Sequence, residues 1–200
     1  MEYAIPIVIV AVIAVCIWVA VANAKRQRER RAQMFAEARA FMASVEQSRA
    51  LPVVGTNVML KSGEVAFYSA PSALYETRAV RHYQAGHTGF RVAKGVYIGG
   101  TSGRSTSTQE WSKIDTGYLT VTNKRLIFDG GAQDRTVQLS KIVSAESSST
   151  GIEVSVEGRQ KSMVFESGNP LILAAIIRIC CQTEDPRDLS QTTLNVTFAE

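Results

Sequence analysis

The chain has few residues able to do chemistry. Its 200 residues include only two histidines and three cysteines. His82 and His87 stand five apart, a spacing that shares neither a helix face nor a strand face, and no cysteine or carboxylate lies between them. Cys16 sits in one apolar run, and Cys180 and Cys181 are adjacent in another. No pair has the spacing of a zinc site, and an odd count does not make a disulfide framework. Two histidines in one stretch build no Ser-His-Asp or Cys-His constellation. The composition therefore points away from an enzyme, a metal site or a cofactor. Gly99-Gly100-Thr101-Ser102-Gly103-Arg104-Ser105 lacks the spacer and lysine of a phosphate loop, and reads as a hairpin turn.

Charge is also missing in two places. No charged residue occurs from Tyr3 to Ala24, where Ile, Val and Ala dominate. As a helix these 22 residues reach about 33 Å, enough for a hydrocarbon core of about 30 Å. The segment before them has no Lys or Arg, whereas Lys25, Arg26, Arg28, Arg30 and Arg31 follow at once. A cleaved signal peptide would need a basic start and a shorter apolar run. A lipoprotein site at Cys16 is excluded by Val15 and the missing basic start. The expected topology is a single-pass anchor over residues 1–24, with the N-terminus outside and the rest on the cytoplasmic side of the cell membrane. The five cations against Glu29 equal the whole net charge of +4, so the rest of the chain is neutral. The basic balance marks a juxtamembrane block that either faces anionic lipid or only sets topology, not a nucleic-acid-binding domain.

The second gap runs from Thr77 to Gln109, where there is no acidic residue but five cations and both histidines. Arg78, Arg81, His82, Arg91, Lys94 and Arg104 form a candidate surface for an anionic ligand, most simply a lipid head group, with Lys124 and Arg125 able to join. The plain alternative is a set of solvated strand charges.

Residues 25–50 read as a helix with one apolar stripe: Met34, Ala38, Phe41, Met42 and Val45. That stripe can pair with a second copy, pack on the following domain, or rest on the membrane. Pro52 ends it. From Gly55 to Gly168 short strands and glycine-rich turns alternate, including strands at 90–99, 109–114, 118–122, 125–128, 135–139, 142–146, 152–157 and 162–166. Ala70 to Arg81 fits a strand or a short helix. Asn169 then caps a helix opening on Pro170, and Leu171 to Cys181 is too short to span a bilayer. Thr183 to Glu200 is a polar tail. The domain plan is an anchor (1–24), a basic amphipathic helix (25–50), a β domain (51–182) and a tail (183–200).

The stretch Gly117-Tyr118-Leu119-Thr120-Val121-Thr122-Asn123-Lys124-Arg125-Leu126-Ile127-Phe128, followed by Val137-Gln138-Leu139-Ser140-Lys141-Ile142-Val143, resembles GRAM domains, a branch of the pleckstrin-homology (PH) superfold. Gly63-Glu64 resembles their usual opening. The resemblance implies a mainly β fold, a seven-stranded barrel or sandwich capped by one C-terminal helix. Between Tyr75 and Gly117 the chain carries a long segment that a minimal GRAM domain lacks; it resembles one in uncharacterised bacterial single-pass membrane proteins. The function so implied is a membrane-anchored binding module that presents a small β domain to lipids of the cytoplasmic leaflet or to a protein partner. The alternative is a structural subunit of a membrane assembly, self-associating through the 32–49 helix or the anchor.

Overall fold

A long helix, α1 (Ala4–Ser48), opens the chain and runs unbroken for 45 residues. The computed structural model describes the backbone of residues 4–93, 96–148 and 150–192, and the side chains of 13–78, 110–148 and 150–192. Among the described residues no helix is long and apolar enough to cross a membrane. Residues 3–12 of the expected span lie outside the described side chains. In the described part of the run Ile13, Val15, Trp18 and Val21 are each more than half exposed. Arg49, in a left-handed conformation with φ 51°, ends the helix, three residues before Pro52.

Seven antiparallel strands follow: β1 (Ala66–Ala93), β2 (Val96–Thr122), β3 (Arg125–Gly130), β4 (Arg135–Gln138), β5 (Ile142–Ser147), β6 (Gly151–Val156) and β7 (Met163–Glu166). They form one sheet in the order β4-β3-β2-β1-β7-β6-β5. Helix α2 (Pro170–Gln182) packs on this sheet and caps it. Asn169 begins α2 as expected, its side-chain oxygen accepting from the N–H groups of Leu171 and Ile172.

Alternation along the strands decides what faces inward. Leu119 and Val121 of β2, Leu126 and Phe128 of β3, Ile152 and Val154 of β6, and Met163 and Phe165 of β7 are all buried. The rings of Phe128 and Phe165 meet at 5.9 Å between centroids. Leu173, Ile176, Ile177 and Ile179 close the core from α2. Position 117 is glycine for a steric reason: a Cβ there would run into the Asp129 carbonyl on β3.

Two expectations are corrected and one open alternative is resolved. Gly99 to Gly103 is not a turn but the interior of β2, with Gly99 opposite Gly89 and Gly103 opposite Ala85. The end of β1 pairs with the start of β2 at Ala93 and Val96 instead. Local glycine content suggested the break, but cross-strand pairing keeps these residues extended. Ala70 to Arg81 is strand throughout, the ambiguity resolved by pairing to β2. The polar tail is docked through Leu189: that residue is fully buried, Leu51 N–H donates to the Pro186 carbonyl, and Leu189 N–H donates to the Arg49 carbonyl. One leucine in a polar stretch gives no periodicity to read.

The apolar stripe of α1 packs on its own domain. Ala38, Met42 and Val45 are buried, and Met42 and Val45 belong to the main core. Asn169 ties the two ends together, its side-chain N–H groups donating to the Met34 carbonyl and the Glu37 carboxylate at 3.1 and 2.9 Å.

Candidate functional site

Strands β1 and β2 form the first candidate. Strand β7 pairs with β1 only from Leu74 to Glu76, and β3 pairs with β2 only from Gly117 to Val121. Among the described residues, the two long strands beyond those points pair only with each other. From Arg78 onward β1 adds 16 residues, a ribbon of about 50 Å at ordinary strand rise. Arg78 lies opposite Glu110 and is exposed. Arg81 lies opposite Ser107, His82 opposite Thr106, Arg91 opposite Tyr97, and Arg104 opposite Gln84. Their side chains, that of His87, and all of Lys94 lie outside the described residues. The hairpin thus strings most of the predicted cations along one two-stranded arm.

The structure separates Arg125 from that arm. Glu64 and Arg125 close a fully satisfied polar knot under the loop before β1. The Glu64 side chain is 0% exposed and accepts from Arg125 Nε at 2.7 Å, Arg125 Nη2 at 3.0 Å, the Lys61 N–H at 2.8 Å and the Thr122 hydroxyl at 2.8 Å. Burial alone would raise its pKa; the hydrogen bonds of Arg125, Lys61 and Thr122 overcome that and bring it down to about 2. Arg125 Nη2 also donates to the Met59 carbonyl. Lys124 Nζ donates to the Ser62 carbonyl at 2.9 Å. Both predicted site residues therefore hold the 59–64 loop against the β2–β3 turn. Sequence reading saw Glu64 only as part of an opening motif, because no local signal announces a partner 61 residues away.

Cys180 is buried, and desolvation, reinforced by Cys181, pushes its thiol up to about 12. Burial raises Cys181 as well. Thiols held in that form are poor nucleophiles; Cys180 packs in the core, whereas Cys181 is exposed.

A second candidate has no precursor in the sequence reading. The register places Lys113, Tyr75, Val164, Glu153 and Glu146 in one row across β2, β1, β7, β6 and β5. This row lies on the face opposite the buried row of Leu74, Phe165 and Ile152. Tyr75, Trp111, Val164, Thr150, Glu153 and Glu166 line a groove of about 420 Å³ there. Tyr75 Oη donates to Glu166 at 3.4 Å, and Trp111 is 48% exposed. A neighbouring recess shares Thr150 and Glu166 with the groove and is completed by Arg30, Met34 and Glu37 of α1. Trp111 was the only readable signal, as one of two tryptophans; the other is Trp18.

No protein-family model, curated protein or solved structure matches the chain.

Proposed function

We propose that this protein is a membrane-anchored binding module of PH-like, GRAM-like type, held by the apolar run at its N-terminus and presenting its β domain to the cytoplasmic leaflet. The observation that carries this reading is the continuity of α1. One helix leads from the uncharged run, through the five cations of 25–31, to side chains buried in the domain core. Met34, ten residues beyond Ala24, already bonds to Asn169, so the domain starts about 15 Å from the end of the run. The exposed Ile13, Val15, Trp18 and Val21 need an apolar partner, and lipid supplies one. The sheet order and C-terminal helix agree with the PH-like resemblance, and the GRAM-like stretch forms the end of β2, the turn and β3.

The cationic arm of β1 and β2 fits a membrane or protein surface of negative charge. An assembly formed through the 32–49 helix gains no support, because Ala38, Met42 and Val45 of that helix are already buried in the chain's own domain.

Membrane fractionation tests the anchor. The full chain should resist alkaline carbonate extraction, and a variant lacking residues 3–24 should be released; release of both sinks the anchor. Co-sedimentation of that shortened variant with phosphatidylglycerol vesicles tests the arm. Arg78→Glu, Arg81→Glu and Arg91→Glu together should weaken binding at least tenfold, and unchanged binding removes the arm from the site.

A further inference from the structure

The groove over β1, β7 and β6 differs in chemistry from the cationic arm. Glu146 and Glu153 face each other directly across β5 and β6, and like charges so placed repel. Neither has an ion-pair partner among the described residues. Among the described residues the Glu166 carboxylate is met only by the Tyr75 hydroxyl. Glu153 and Glu166 flank a wall of Tyr75, Trp111 and Val164, and aromatic rings beside carboxylates favour a cation. On the other side of Thr150 and Glu166 stands Arg30, which has no partner among the described residues. A single recessed surface thus carries an unpaired guanidinium at one end, beside a Glu37 already engaged by Gln33 and Asn169, and carboxylates with aromatic rings at the other, with Glu166 between the two.

That arrangement selects among ligands. A purely anionic head group would meet Glu153 and Glu166 at close range. A purely basic peptide would meet Arg30. A zwitterion with its phosphate on Arg30 and its ammonium between the aromatic rings and the carboxylates satisfies both ends. A primary ammonium has three donors, which suit Glu153, Glu166 and the Thr150 hydroxyl. Depth agrees as well. Arg30 lies six residues past Ala24, about 9 Å along the helix and so just beyond a head-group layer some 5–7 Å deep, a gap its long side chain can span by reaching back.

We infer that this groove, completed by Arg30 of α1, binds the head group of a zwitterionic phospholipid of the phosphoethanolamine type. The inference rests on the anchored reading above, and it assigns lipid contact to a sheet face distinct from the arm.

The test uses the full chain in detergent micelles with Trp18→Phe, so that Trp111 is the sole tryptophan. Micellar dioleoylphosphatidylethanolamine should shift Trp111 emission saturably, with dioleoylphosphatidylglycerol at least tenfold weaker. Arg30→Ala, and separately Glu153→Gln with Glu166→Gln, should each raise the half-saturating lipid fraction about tenfold while the circular dichroism spectrum stays unchanged. Equal responses to the two lipids, or variants that titrate like the parent, overturn the inference. So does water-soluble glycerophosphoethanolamine binding as tightly as the lipid, which makes the ligand a free zwitterion. A response to an oligolysine peptide but not to the lipid makes the partner a protein and also overturns it. Carbonate extraction reads the anchor independently, so the two readings can fail separately.

Discussion

Strands β1 and β2 pass through two different environments. Within the sheet, β1 from Ala66 to Glu76 has β2 on one side and, at Leu74 to Glu76, β7 on the other, and it buries Phe67 and Leu74. Past Thr77 the same two strands continue as a ribbon whose backbone bonds are made but which no third strand joins among the described residues. Hydrogen-bond pairing is similar in both parts. The difference is that β3, β7 and α2 join the sheet part, where apolar burial stabilises the fold; a lone two-stranded hairpin is marginal in water.

Four changes test that contrast, here in order of expected effect on the full chain in detergent. Phe165→Ala empties a site between Phe128, α2 and β1 and should cost about 3–5 kcal/mol in chemical denaturation. A loss under 1 kcal/mol would mean that the core is not where the stability lies. Acid should act next, through Glu64. Its folded pKa of about 2 lies below the ordinary 4.5, so its contribution is complete above pH 4.5 and disappears as pH falls towards 2. That contribution is about 3 kcal/mol. Stability measured against pH should drop across this window in the parent, and Glu64→Gln should be less stable at neutral pH with a flatter profile. Asn169→Ala removes the cap of α2 and the tether to Met34, and about 1–2 kcal/mol should go with them. The smallest effect belongs to the arm: replacing residues 79–109 by Asn-Gly joins Arg78 to Glu110, which already face each other, through a two-residue turn. Thermal denaturation should move by no more than a degree or two, and a large fall would show that the arm helps hold the sheet.

The same contrast explains what could be read in advance. Leu119, Val121, Leu126 and Phe128 alternate around a turn at Asn123-Lys124, so that hairpin was legible from local pattern. Asn169-Pro170 announced α2 equally clearly. Gly99 to Gly103 misled because glycine marks a turn only where no partner strand holds the chain extended. Arg125 misled in another way. Its charge looked free for a ligand, but Glu64 lies 61 residues earlier and meets it only after folding. The groove was illegible because Tyr75, Trp111, Glu153 and Glu166 come from four strands, and no spacing in the chain relates them.

The sequence by itself determined the uncharged run and the basic block after it, the β character of the domain, the capped C-terminal helix and the absence of acid from 77 to 109. Each of these follows from composition or from periods of two and 3.6 residues, which are local properties. Tertiary structure alone decided where the stripe of α1 packs, which cations are consumed inside the fold, how far β1 and β2 run past the sheet, and which side chains share the outer face. Those outcomes depend on strand register and on contacts between residues far apart in the chain, and a linear pattern carries no record of them.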